Sequence, residues 1–195
     1  MIRIFDLILA SLGVIILCPF FIILFSVIYL VEGGPVFFVQ KRIGQNGRLF
    51  RIYKLRTMKP TSQGNIMLTI GKDDRITKLG YYLRKYKIDE LPQLINVING
   101  SMSIVGPRPE VANYVKYFGI YYDEILSVRP GITDEASLKY KSESEVLDKT
   151  KNPEEYYINQ LLPEKLKLSL EYVRNYNLRN YFRIIVKTIW AVIYK

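Results

Sequence analysis

The chain has 195 residues, with 28 Lys and Arg against 18 Asp and Glu for a net charge of +10, one cysteine and no histidine. Those counts exclude a Ser-His-Asp triad, a Cys-His pair, His-ligated zinc, an intramolecular disulfide and any cysteine-built metal site. Catalysis is left to carboxylates, Arg/Lys, hydroxyls, backbone amides or a hard metal ion held by oxygens, and the charge points to an anionic partner: nucleic acid, a phosphorylated small molecule or an anionic lipid surface.

In chain order, the first element decides among those anions. Leu7 to Val31 contains no charge over 25 residues, against roughly 20 needed to cross a bilayer as a helix. The run is too long for the h-region of a signal peptide, and no small-x-small site closes it. Leu17 and Pro19 around Cys18 argue against a lipoprotein, leaving Cys18 as a small apolar filler in lipid. Pro19 removes a backbone donor mid-run, so a kink is expected there. Two arrangements remain open: a kinked span, or a re-entrant helix that dips into one leaflet and returns. Lys41, Arg42, Arg48, Arg51, Lys54 and Arg56 follow closely, which puts the C-terminal side in the cytoplasm. Arg3 and Asp6 are the only charges before Glu32, so the rest of the chain carries the whole +10 and is drawn to an anionic leaflet.

Val36 to Ile43 and Leu49 to Leu55 are rich in β-branched and aromatic residues. With Gln45-Asn46-Gly47 between them they predict a β-hairpin. On the second strand Phe50, Ile52, Lys54 and Arg56 share a face, and its two cations either contact a ligand or form a solvated edge. Residues 59–74 are polar, with Pro60, Gly64 and Gly71, and read as a loop. Arg75 to Tyr86 predicts a basic helix. A second helix presents Leu91, Leu94, Ile95 and Ile98 on one face and stops at Asn99-Gly100. Ser103 to Pro109 and Arg129-Pro130-Gly131 read as loops. From Pro153 onward apolar and basic residues alternate at helical spacing, suiting either interfacial helices or amphipathic helices packed on a core.

Asp89-Glu90 precedes Leu91-Pro92, at or near the start of the second helix. A capping role is the plain alternative. The surroundings favour chemistry: Arg84, Lys85 and Lys87 lie just before, Gly106-Pro107-Arg108-Pro109 presents one guanidinium and Arg129-Pro130-Gly131 another. Paired acids amid arginines are what a magnesium-diphosphate substrate requires, oxygen ligands for the metal and cations for the phosphates.

These blocks carry a family resemblance. Arg3-Ile4-Phe5-Asp6, Gly34-Pro35-Val36-Phe37, Gln40-Lys41-Arg42-Ile43-Gly44 and Tyr53-Lys54-Leu55-Arg56-Thr57-Met58 are followed in order by Leu83-Arg84 and Asp89-Glu90-Leu91-Pro92-Gln93-Leu94. Then come Asn96-Val97, Gly100-Ser101-Met102-Ser103-Ile104-Val105-Gly106-Pro107-Arg108-Pro109 and Arg129-Pro130-Gly131-Ile132-Thr133. The chain resembles the bacterial sugar transferases of the monotopic polyprenyl-phosphate phosphoglycosyl transferase family, through nearly its whole length.

The resemblance implies an α+β, mainly helical fold. Residues 1–32 would form a re-entrant membrane helix broken at Pro19, and residues 33–195 a cytosolic catalytic domain with a small β-hairpin and amphipathic interfacial helices. It implies phosphosugar transfer from a UDP-sugar to polyprenyl phosphate at the cytoplasmic face of the bacterial plasma membrane. In this ping-pong cycle Asp89 is the nucleophile, Glu90 assists as metal ligand or proton handler, and Mg²⁺ is bound by Asp89 and Glu90. Lys54, Arg56, Arg84, Arg108 and Arg129 are the phosphate-binding candidates. Anionic lipid is an expected partner, nucleic acid is not, and a homo-oligomer is left open. The residue types agree: a carboxylate with a reference pKa of about 3.9 is ionised at neutral pH without a base. Phosphoryl transfer then demands mainly positioning and charge neutralisation. Two departures stand out. Cys18 replaces the serine common before the helix-breaking proline, and Asp134-Glu135-Ala136-Ser137 follows Thr133 where many members have Gly and a Trp-Gln stretch. The competing readings are transfer of the sugar alone, releasing UDP, and a non-catalytic basic anchor binding anionic lipid.

Overall fold

The computed structural model describes residues 1–59 and 73–194, so nearly all of the loop read at 59–74 lies outside the described residues. The first helix, α1 (Ile2–Glu32), is 31 residues long and continues through Pro19 rather than ending there. The missing Pro19 N–H leaves the Ile15 carbonyl without its helical donor, but the turns on both sides are held by packing. Its buried side chains are Ile2, Asp6, Ala10, Phe21, Leu24 and Ile28, a stripe on one face at spacings of three and four except for the three turns between Ala10 and Phe21. At the middle of that stripe Gly13 admits Leu94: a Cβ there would sit 3.2 Å from the leucine Cδ1. The other faces expose Ile8, Leu12, Ile15, Ile16, Ile22, Ile23 and Leu30, and Cys18 with them.

The hairpin forms as expected. β1 (Phe37–Ile43) and β2 (Leu49–Leu55) pair antiparallel from Phe37 opposite Leu55 to Ile43 opposite Leu49. A single 3-10 turn, Gln45–Gly47, connects them, with Asn46 left-handed at φ 56. The basic helix is shorter than its periodicity suggests. α2 (Lys78–Lys85) starts only after Thr77, whose hydroxyl accepts the Gly80 N–H at 2.8 Å. Arg75 instead pairs with Asp73, and Ile76 bridges Met58. Gly80 has no room for a side chain, since a Cβ would lie 2.2 Å from the Thr57 carbonyl oxygen.

Lys87, left-handed at φ 58, turns the chain from α2 into a 3-10 turn, Ile88–Glu90. α3 (Gln93–Ile98) follows. Its buried face is not the leucine-isoleucine face that the spacing suggests: Gln93, Asn96 and Val97 are buried, while Ile95 and Ile98 are 49% and 38% exposed. The reason is Asn96, whose Oδ1 accepts the Tyr53 N–H at 3.0 Å and whose Nδ2 donates to the Arg51 carbonyl at 2.7 Å. The side chain thereby pairs the edge of β2 that β1 leaves open, and turns α3 to suit.

The two Gly/Pro-punctuated segments are loops at residues 106–109 and 129–130, but each adjoins a short strand that the pattern did not show. β3 (Ser103–Val105) and β4 (Gly131–Thr133) pair in parallel, Ser103 with Gly131 and Val105 with Thr133. Between them lie α4 (Ala112–Val115), a 3-10 turn at Lys116–Phe118 and α5 (Gly119–Ile125). After β4 come α6 (Glu135–Lys139), α7 (Glu143–Asp148), α8 (Pro153–Tyr156), a π-turn at Tyr157–Leu161, α9 (Leu162–Arg174) and α10 (Leu178–Ile193).

The C-terminal helices divide between the two readings their pattern allows. α9 is a core helix, burying Leu162, Leu166 and Leu170 against Tyr114, Tyr122, Ile125 and Leu147. α10 buries Tyr181 and Ile184 but exposes Phe182, Val186, Ile189, Trp190 and Ile193, with Arg179, Arg183 and Lys187 beside them. α1 enters the hydrophobic clusters through Ile2 with Val105, Tyr181 and Ile184; Ala10 with Ile52, Val97 and Met102; and Leu24 and Ile28 with Leu55 and Leu83.

Candidate active site

The chain folds so that β2, the turn after α2 and the segment after β3 converge on Glu90. Glu90 Oε1 accepts from Lys54 Nζ at 2.8 Å and from Arg108 Nη2 at 2.7 Å, and Oε2 from Arg108 Nη1 at 3.3 Å. Its side chain is 8% exposed, against 19% for Lys54 and 33% for Arg108, so the carboxylate forms the floor and the cations the wall. Asp89 is buried beside it, and among the described residues its Oδ1 has no hydrogen-bond partner.

The two acids are tuned in opposite directions. Burial works to raise Glu90, but the adjacent Arg108 and Lys54 charges outweigh it and hold the carboxyl well below the usual range. Asp89 is raised by its own burial and then by the Glu90 charge, with Lys54, Lys87 and Arg84 pulling the other way. Burial lowers Lys54 against the pull of Glu90, whereas the Glu90 charge raises Arg108.

Two glycines hold Arg108 in place. Gly106 and Gly131 meet where β3 and β4 pair: a Cβ on Gly106 would lie 2.4 Å from the Arg129 carbonyl oxygen, and one on Gly131 2.1 Å from the Gly106 nitrogen. The Gly131 N–H reaches the Pro107 carbonyl at 3.0 Å, and the Gly106 N–H reaches Thr133 at 3.1 Å. Asp134 Oδ2 accepts the Arg108 N–H at 3.3 Å, and its Oδ1 caps α6 at the Ser137 N–H, 2.7 Å away. On the other side Arg42 donates to the Pro109 carbonyl at 3.3 Å, and the Ile43 N–H to the Glu110 carbonyl at 3.2 Å.

Of the candidate residues, then, Asp89, Glu90, Lys54 and Arg108 are brought together, and the Arg84 charge acts on Asp89. Two arginines have other tasks. Arg56 lies just past β2, is buried, and donates to the carbonyls of Glu32 (2.8 Å), Gly33 (2.5 Å) and Gly34 (2.7 Å). It closes the C-terminal end of α1, where unpaired carbonyls attract a cation. Arg129 Nε donates to the Gly100 carbonyl at 2.9 Å, at the turn between α3 and β3. Residues that the pattern reading did not single out are Arg42, Gln93, Asn96 and Asp134. For Asn96 and Gln93 the signal was available, as polar residues inside a short helix otherwise made of Leu, Ile and Val. A cleft of about 740 Å³ lies elsewhere, between α6, α9 and α10, lined by Glu135, Lys139, Arg183 and Lys187 among others. It does not include the acid pair.

A family model described as bacterial sugar transferase matches residues 1–195. UDP-glucose:undecaprenyl-phosphate glucose-1-phosphate transferase of Escherichia coli K12 is 32% identical over 190 residues, covering 95% of this chain and 38% of that protein. A putative undecaprenyl-phosphate N-acetylgalactosaminyl 1-phosphate transferase of Bacillus subtilis 168 is 37% identical over 147 residues, covering 72% and 78%. Galactosyl transferase CpsE of Streptococcus agalactiae is 32% identical over 174 residues, covering 83% and 35%. The chain thus spans little more than a third of the E. coli and S. agalactiae proteins. From end to end, the chain belongs to the bacterial sugar transferase family.

Proposed function

We propose that this chain moves a sugar phosphate from a nucleotide diphosphosugar, a UDP-sugar, to a polyprenyl phosphate, undecaprenyl phosphate, at the cytoplasmic face of the bacterial plasma membrane. The observation that carries this reading is the acid pair itself: Glu90 gripped by Lys54 and Arg108, and Asp89 buried with an oxygen free. The relatives' names, which share undecaprenyl phosphate and differ in the sugar, support the reaction class.

In this reading an oxygen of Asp89 attacks the phosphorus bearing the sugar. The bond from that phosphorus to the UMP oxygen breaks, and its electron pair leaves with UMP. A phosphate oxygen of the polyprenyl phosphate then attacks the same phosphorus, releasing the Asp89 carboxylate and leaving polyprenyl-diphosphate-sugar. Arg108 and Lys54 neutralise the diphosphate, and Glu90 fixes both cations in place. Raising Asp89 makes its carboxylate the more basic of the two acids and so the better nucleophile once ionised.

Mg²⁺ fits the donor set in a limited way. Among the described residues there is no group of three or more acidic, cysteine or histidine ligands, and magnesium is commonly held by one or two carboxylates with substrate phosphates supplying the rest. Asp89 Oδ1 and the weakly engaged Glu90 Oε2 are the oxygens that would hold it, and the ion would supply charge neutralisation to the diphosphate.

The membrane part of the reading rests on α1. Arg3 donates to the carbonyls of Val97 (2.6 Å) and Ile98 (3.0 Å), and Arg56 binds the other end, so both ends are tied to the same body. This supports a helix unbroken at Pro19 and held along the body in one leaflet rather than across it, with the exposed apolar face of α10 lying on anionic lipid beside it.

The test incubates the full chain in nanodiscs with a panel of UDP-sugars, Mg²⁺ and undecaprenyl phosphate, and identifies the released nucleotide. UMP is expected, with no turnover by Asp89→Asn. Release of UDP supports sugar-only transfer instead, and full activity in Asp89→Asn removes it as nucleophile.

A further inference from the structure

Gln93 is 1% exposed, and among the described residues its Nε2 has no acceptor. A buried donor without a partner is uncommon in a folded protein and costs stability for as long as it stays unpaired. Arg42 Nε, near Arg108 and Glu90, is another buried orphan, and so is Asp89 Oδ1, four residues before Gln93. Between Asp89 and Gln93, Leu91 (φ −57, ψ −32) and Pro92 (φ −59, ψ −16) are right-handed, so the backbone runs helically from the 3-10 turn into α3. The run is held by i→i−3 hydrogen bonds, Leu91 to Ile88, Leu94 to Leu91 and Ile95 to Pro92, so Gln93 follows Asp89 by little more than one turn. A neutral donor and a carboxylate oxygen, both buried and both unpaired, therefore lie within about a turn of each other. Lys54 and Arg108, held by Glu90, bring charge to this place, and Gln93 adds a neutral donor.

We propose that Gln93 is a further catalytic residue, whose amide N–H donates to a non-bridging oxygen of the phosphoryl group as it transfers to Asp89. This rests on the transfer reading above and adds to it the residue that binds the group in flight. The acceptor that Gln93 lacks arrives only with the substrate, so its hydrogen bond stabilises the bound phosphosugar and its transition state rather than the fold. The amide carries no charge and gives up no proton. The Asp89 oxygen forms the new bond to phosphorus and UMP takes the electron pair of the old one, as before.

Gln93→Met keeps the side-chain length and removes the donor. The experiment withholds undecaprenyl phosphate, supplies radiolabelled UDP-sugar and Mg²⁺ to the full chain in nanodiscs, and follows the label trapped on protein. With the donor gone, the rate of trapping is expected to fall on the order of 100-fold, as when one oxyanion donor is removed. The final amplitude per chain should hold and the thermal midpoint should hold or rise, because losing a buried donor that had no partner breaks no bond. A lowered midpoint with reduced amplitude and an unchanged rate in the surviving fraction would mean a structural glutamine and overturn the proposal. An unchanged rate overturns it too. Wild-type protein that traps no label on Asp89 fails the transfer reading itself and takes this inference with it, which separates the two failures. Gln93→Glu supplies a second check: it restores size and polarity without the NH₂ donor, and is expected to trap as slowly as Gln93→Met.

Discussion

Adjacent in sequence and equally buried, Asp89 and Glu90 respond oppositely to acid. Asp89 holds its proton more readily in the folded chain than its ordinary value of 3.8 allows. Its ionised form therefore costs stability at neutral pH, a cost relieved as pH falls through the raised value toward 3.8. Glu90, held well below 4.5, stabilises the fold above that value and loses the contribution only as pH falls through its lowered one. Asp89→Asn is accordingly expected to be more stable than wild type at pH 7. That advantage should close on acidification, as read by thermal unfolding in EDTA. Glu90→Gln is expected to do the reverse, costing about 3–5 kcal/mol because Lys54 and Arg108 are left without their counter-charge. The acid pair was legible in the sequence because two carboxylates amid cations are a local pattern. The division of labour among the arginines was not, since Arg56 and Arg129 are claimed by carbonyls far away in the chain. A guanidinium bound to backbone reads the same in sequence as one waiting for phosphate.

Among the elements, the hairpin was legible because alternation and a turn signal both lie within one short segment. β3 and β4 were not, because three-residue strands carry no period and their partner comes from a distant segment. Their glycines record the pairing all the same. Gly131→Ala is expected to unfold the site, costing more than about 3 kcal/mol, because its Cβ would meet the Gly106 backbone rather than a movable side chain. Hydrogen exchange on β3 and β4 and loss of transfer would report it together. The face of α3 was misread for a related reason. Apolar spacing predicts burial only where the packed partner is apolar, and here the partner is a strand edge needing hydrogen bonds. Asn96→Leu makes the helix more apolar yet is expected to destabilise by about 2–4 kcal/mol, leaving the Tyr53 N–H and the Arg51 carbonyl unpaired. A thermal midpoint equal to wild type would show that β2 does not depend on this bracket.

Over the whole molecule, α1 is long enough to cross a bilayer, about 46 Å at the helical rise. Length alone cannot distinguish that from lying along the body. The stripe from Ile2 to Ile28 does, because its partners are β2, α2, α3, β3 and α10, whose other faces carry polar and charged groups. Standing the helix across the hydrocarbon would carry those groups into lipid or strip them from the helix. Cysteines placed singly at Ile4 and Glu32, in a Cys18→Ser background, are therefore expected to react with an impermeant maleimide from the cytoplasmic side alone. Labelling of the two from opposite sides would establish a span.

Asp6 closes the account of α1. Its Oδ1, at 2.9 Å in each case, accepts from the Ser103 hydroxyl, the Ile104 N–H and the Tyr181 hydroxyl, tying the first helix to β3 and to α10. Tyr181 lies 175 residues later in the chain. At about 5–20 residues per second on the ribosome, Asp6 emerges roughly 10–35 s before that partner exists. Asp6 therefore waits first for Ser103 and Ile104 and then, longest, for Tyr181. The last helix, by arriving, is what completes the first.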